Sequence, residues 1–151
     1  MGTFIALAGV QGLSLALLGL NTSLARKKYK VPGTYDTADA KYSGLYAAQR
    51  AHGNQAEWGP AFMVLFLAVY VGEATMYAPT LVNNATVTPT KPVWSQAIAY
   101  WATAGRLAAG YALGFTPSLT TASPLRRFAG LSTYLTAIIL SCYTIYLGSQ
   151  M

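Results

Sequence analysis

At 151 residues, with 54% hydrophobic and only 9% charged residues, the chain falls far below the roughly 25% charged content of ordinary soluble domains. Its net charge of +6 comes with too few interleaved aromatics and too much apolar helix for a nucleic-acid surface; anionic lipid headgroups or an anionic small ligand fit it better. The composition excludes a separate soluble domain and predicts an all-α integral membrane protein, a single domain over residues 1–151 whose spans and short connections use the whole length.

The first apolar segment, residues 3–25, is long enough to cross a bilayer. It lacks a basic start and a small-residue cleavage site, and Arg26-Lys27-Lys28-Tyr29-Lys30 follows it, so it is expected to stay as helix one. Gln11 and Asn21 interrupt it. Pro32, Gly33, Asp36 and Asp39 mark an irregular loop, and a helical pattern resumes near Lys41. The apolar part of helix two covers residues 61–79, so its first turns, with Arg50, are expected in the headgroup zone. Pro60 removes the bond to the Ala56 carbonyl and predicts a kink. A turn-rich loop with a glycosylation-type sequon at Asn84 precedes the third span, residues 93–115. There Gly105, Gly110 and Gly114, with Ala104, Ala108, Ala109 and Ala112, predict close helix approach. The fourth span is residues 128–147, and its lone Cys142 is expected to be a buried structural thiol. Arg26, Lys27, Lys28, Lys30 and Lys41 fall in loop one, Arg126 and Arg127 in loop three, and only Lys91 in loop two. Loops one and three are therefore expected in the cytoplasm.

Arg50, Asn54 and Glu57 stand at i, i+4 and i+7, within roughly 60° of one helical face. A charge at the bilayer centre costs a few kcal/mol or more, so this set should face a bundle interior or a wet cavity. Two readings stand: a network that satisfies itself, or a pocket of both charge signs for a zwitterionic or polyanionic ligand. Arg106 lies in an apolar run with no acid four residues away; it is either a functional-site cation or the partner of Glu57 or Glu73 across the bundle. The positive-inside rule alone accounts for Arg126 and Arg127. His52 points away from the clamp face, and one histidine without a cysteine cluster argues against any metal site. Neither a Gly-rich phosphate loop nor a nucleophile elbow occurs. Tyrosines such as Tyr29, Tyr42, Tyr77 and Tyr146 fall near span ends, as an interfacial belt would place them.

Three pieces together resemble the MAPEG family, the membrane-associated proteins in eicosanoid and glutathione metabolism, with the microsomal glutathione S-transferase type three branch the nearest in look. They are Asn21 with Ala25-Arg26-Lys27-Lys28-Tyr29-Lys30-Val31, then Gln49-Arg50-Ala51-His52 with Asn54, Glu57 and Pro60, then Gly105-Arg106-Leu107. The resemblance implies a homotrimer of four-helix protomers that binds glutathione as co-substrate, without metal, between protomers near the cytoplasmic surface. It implies that Arg50, Asn54 and Glu57 hold the carboxylates and amino group of glutathione, that a neighbouring protomer lends Arg26, and that Arg106 and Tyr111 join the binding set. Arg126 or Arg127 takes the position of the arginine that stabilises the thiolate, since a cation beside sulfur lowers its pKa. The function implied is a glutathione transferase or peroxidase acting on lipophilic electrophiles or lipid hydroperoxides in the endoplasmic reticulum or mitochondrial membrane.

The chain departs from the family pattern in places. Trp58 and Gly59 follow the clamp glutamate where many relatives carry tyrosine, and Leu113 stands seven residues after Arg106 where a tyrosine is usual, with Tyr111 at five. The connection from Tyr111 to Arg126 is long. These departures keep an alternative open: a non-enzymatic structural subunit of a larger membrane complex, with lipid in the pocket. A small transporter fits less well, because no discontinuous helices or paired repeats are evident.

Overall fold

In a computed structural model, the structure describes residues 2–31, 33–82, 85–87, 89–114 and 123–151. Its elements are α1 (Gly2–Tyr29), a 3₁₀ turn (Ala40–Tyr42), α2 (Ser43–Met76), β1 (Thr80–Val82), β2 (Ala85–Val87), α3 (Val93–Gly114) and α4 (Pro124–Ser149). The asparagine of the Asn84 sequon and most of the long connection before Arg126 lie outside the described residues.

Local chemistry sets the helix ends. Lys30 closes α1 in the left-handed region at φ 56°, and Val31 N–H returns to the Arg26 carbonyl at 3.0 Å, a C-terminal cap usually made with glycine. Asp39 caps the 3₁₀ turn by accepting from Lys41 N–H, so helical structure begins at Ala40, beside the Lys41 expected from sequence. Ser123 caps α4, its hydroxyl accepting from Arg126 N–H at 3.3 Å, with Pro124 in the first turn. Pro60 lies inside α2, which is assigned helix from Ser43 to Met76 without a break. The second loop holds more than turns: β1 and β2 pair antiparallel, Thr80 opposite Val87 and Val82 opposite Ala85.

Among the described residues three helices, α1, α2 with its 3₁₀ lead-in, and α4, are long and apolar enough to cross a membrane. The 22 residues of α3 give it a length of about 33 Å, but its buried Ser95, Thr103 and Arg106 lower its hydropathy. Cross-bundle contacts show that successive helices run antiparallel: Thr22 with Ala48, Glu73 with Ser95, and Arg106 with Thr133.

The bundle wears its apolar residues outside. Leu13, Leu17, Leu20 and Leu24 form an exposed stripe on α1, and Leu131, Leu135, Ile138 and Ile145 form one on α4, at the spacing of one helical face. Cys142 falls in the α4 stripe and is exposed; the expected buried thiol is corrected, because the 3.6-residue period carries position 142 to the outer face. Inside, Phe4, Phe62, Phe66, Val69 and Leu140 make the apolar core.

Without a hydrophobic drive between helices in lipid, close packing and polar bonds hold such a bundle. Gly105 shows the packing part, since a Cβ there would overlap Ser132 Oγ and stand 2.9 Å from Ser132 Cβ. Gly105→Ala is therefore expected to lower the thermal unfolding midpoint, at a cost of about 1–3 kcal/mol. Gly9→Ala, where a Cβ meets nothing within 4 Å, should leave it unchanged or raise it. Equal midpoints for the two variants would contradict the α3–α4 packing described.

Candidate functional site

Polar residues that interrupt the apolar helices meet in a network that reaches α1, α2, α3 and α4. Arg106, 2% exposed, is its centre. Arg106 Nη2 donates to Asn54 Oδ1 at 2.7 Å, to the Asn54 carbonyl at 2.9 Å and to Gln55 Oε1 at 2.9 Å. Nε donates to Gln55 Oε1 at 3.2 Å, and Nη1 to Thr133 Oγ1 at 3.4 Å. Gln55 Nε2 donates to Gln11 Oε1 at 2.8 Å, Gln11 Nε2 to Thr103 Oγ1 at 3.4 Å, and Thr103 Oγ1 to the Ala99 carbonyl at 3.0 Å. Among the described residues no buried side-chain polar atom lacks a partner, which is what a membrane interior demands of such groups.

Of the two readings of Arg106, direct pairing with Glu57 or Glu73 is set aside by these contacts. Its hydrogen bonds go to neutral oxygens, and Glu57 acts on it only at longer range. Glu73 lies farther along α2, buried, and accepts from Ser95 Oγ at 2.6 Å and from Tyr143 Oη at 3.2 Å. The antiparallel order of α2 and α3 explains this: Glu73 faces the beginning of α3, whereas Arg106 lies in its second half.

On the side toward the α4 start, the network opens into a cavity of about 180 Å³ lined by Arg50, Asn54 and Trp58 of α2, Arg106, Ala109 and Leu113 of α3, and Arg126, Ala129, Gly130, Thr133 and Tyr134 of α4. Among the described residues three guanidiniums line it and no carboxylate does. Trp58 and Tyr134 meet edge to face at 5.3 Å, 87° apart, forming an aromatic wall. The Ser123 cap and Pro124 start α4 so that Arg126 falls in its first turn, beside the positive end of the helix dipole. A cation is unfavourable there, so helix stability does not account for its placement.

Of the residues singled out from sequence, the structure brings Arg50, Asn54, Arg106 and Arg126 to this one cavity. Glu57 is exposed on α2 and does not line it, and Arg127 is exposed on α4. Arg26 donates Nη1 to the Gly33 carbonyl at 3.0 Å and lines a separate recess with Lys27, Lys30 and Val31. Beside that loop, Tyr35 donates to Gln49 Oε1; burial raises its hydroxyl pKa against the opposing pull of Arg26, so it remains a donor. Tyr111 is 59% exposed and lines an apolar recess of about 340 Å³ with Leu13, Leu17, Asn21 and Leu107. His52 packs toward Gly19 of α1, on a side away from the cavity.

Sequence reading missed Gln11, Gln55, Thr103 and Thr133 as members of the network. A signal was present for two of them: amides within otherwise apolar helices, at Gln11 and Gln55, must find internal partners. Thr103 and Thr133 gave none, because threonine in a lipid-facing helix can satisfy itself on its own backbone, as both also do.

The model of the MAPEG family matches residues 4–146 of the chain. Neither curated proteins nor solved structures give a significant match. With a match over nearly its whole length, joined to membrane-crossing helices and a polar cluster between them, this chain belongs to the MAPEG family.

Proposed function

We propose that the protein is a membrane glutathione transferase or glutathione-dependent peroxidase, nearest to the type three microsomal branch, acting on lipophilic electrophiles or lipid hydroperoxides. The observation that carries this reading is the convergence of Arg50, Asn54, Arg106 and Arg126 on one cavity with an aromatic wall. Glutathione brings two carboxylates, an amino group and a thiol. Arg50 and Arg106 suit the carboxylates, Asn54 offers an amide, and Arg126 with the dipole of α4 favours sulfur as thiolate. A thiolate, its proton already lost to solvent, attacks an electrophilic carbon without a general base. As the carbon–sulfur bond forms, the carbon's leaving group departs with its electron pair, or the π pair of an activated double bond moves away and is protonated by solvent.

At about 180 Å³ the cavity is smaller than the roughly 300 Å³ at which ligand pockets begin. A neighbouring protomer of a homotrimer completes it in this reading, and Arg26, which opens on a different recess of its own chain, is the residue such a neighbour lends, with Glu57 and Tyr111 on faces a neighbour can cover. Helix α3 makes the fourth crossing. In this reading the cavity lies on the cytoplasmic side of an endoplasmic reticulum or mitochondrial membrane, an orientation supported by the basic residues at the end of α1 and the start of α4.

The test is a titration of the purified, detergent-solubilised protein with glutathione, following ultraviolet thiolate absorbance near neutral pH. A saturable thiolate signal is expected. Absence of binding at millimolar glutathione would sink the transferase and peroxidase reading and leave a structural subunit in its place.

A further inference from the structure

Arg106 is buried in an apolar bundle, yet every hydrogen-bond partner it has among the described residues is neutral. Buried guanidiniums are commonly balanced by a carboxylate, which cancels the charge. Here Gln55, 0% exposed, supplies the two Oε1 contacts that a carboxylate would supply, at 2.9 and 3.2 Å. Its amide orientation is not arbitrary. Arg106 carries only donors, so the oxygen of Gln55 must face it, which leaves Gln55 Nε2 to donate to Gln11 Oε1. The bonds are unevenly shared: Nη2 has three acceptors at 2.7–2.9 Å, whereas Nη1 has one at 3.4 Å, to Thr133. Arg106 and both Asn54 and Thr133, which hold its two terminal nitrogens, line the cavity.

We propose that Gln55, fixed by Gln11, is a positioning and selectivity residue: it holds the Arg106 guanidinium at the cavity without neutralising it, so that the cavity takes an anionic group, such as a carboxylate, of its ligand. The identification of that ligand as glutathione rests on the function proposed above; the charge argument does not. An acid at position 55 would fit the same space and bind Arg106 more strongly, but would consume the charge a ligand needs.

The decisive variant is Gln55→Glu in the full chain, nearly isosteric and able to keep both contacts to Arg106, while the Gln11 amide can turn over to donate to it. Dissociation constants for glutathione and for inorganic phosphate are measured by calorimetry in detergent, alongside the unfolding midpoint. Glutathione affinity is expected to fall at least about tenfold, equivalent to about 1.4 kcal/mol, with the midpoint unchanged or higher. A purely structural glutamine would move the midpoint and not the affinity. Thr133→Asp brings a carboxylate to the same guanidinium from α4 and should lower affinity likewise; it decides the matter if Gln55→Glu does not fold. Unchanged affinity in either folded variant overturns the proposal. If the wild type ignores glutathione but binds phosphate, and Gln55→Glu loses it, the glutathione reading fails while this inference stands. A wild type that binds neither anion overturns the inference as well.

Discussion

Arg106→Leu is expected to lower stability against unfolding by about 2–4 kcal/mol and to abolish glutathione binding. Interhelical polar bonds in a bilayer average below about 1 kcal/mol, because the unfolded chain in lipid also finds partners. This substitution, however, strips acceptors on two helices at once: Asn54 Oδ1 and Gln55 Oε1 on α2, and Thr133 Oγ1 on α4. Gln55 is wholly buried, so its oxygen has no water to turn to and carries the full penalty of an unmade bond. Leucine spares the burial of a cation, which sets the upper bound on the loss. The unfolding midpoint in a mild detergent titrated with dodecyl sulfate measures it. The double variant Arg106→Leu with Gln55→Leu removes donor and acceptor together and should regain part of the stability but none of the binding. A midpoint for Arg106→Leu equal to wild type would show that the network does not hold the helices together.

Arg126→Ala should leave glutathione bound but raise the pKa of its thiol by about one to two units, at 1.36 kcal/mol per unit, cutting turnover near neutral pH about tenfold or more. The sign follows from charge: a guanidinium beside sulfur stabilises thiolate over thiol, so removing it shifts ionisation upward and leaves less nucleophile at pH 7. Arg127→Ala should change neither binding nor ionisation, since only Arg126 of the pair lines the cavity. Sequence alone left the two equivalent; the helix turns adjacent residues about 100° apart, and the Ser123 cap fixes which one faces inward. The absorbance of the bound thiolate as a function of pH separates the variants, and an identical shift in both would remove Arg126 from its proposed role.

Much of the fold was legible because lipid imposes a simple rule. Runs of apolar residues with few charges must become helices that satisfy their own backbones, and the α1, α2, α3 and α4 bounds fall close to the expected segments, with α2 starting well ahead of its apolar part. The clamp was legible only in part. Arg50 and Asn54 share a cavity while Glu57, three residues farther on, lies outside it, because a face roughly 60° wide still spans both a cavity wall and an exposed flank. Cys142 misled for a related reason: in a bundle whose outside is apolar, apolar neighbours do not signal burial.

What the sequence determined by itself was a membrane protein of this family, its helical segments, the uneven placement of its basic residues and the short list of charges that lipid would not tolerate unpaired. Each follows from composition and local spacing, which one chain carries in full. The partners of those charges were decided by tertiary structure alone. Arg106 meets Gln55 across 51 positions of sequence and Gln55 meets Gln11 across 44; the register of antiparallel helices, set by close approaches such as Gly105 against Ser132, determines which polar groups share a level. Helical periodicity says which way a side chain points, but not what stands opposite it.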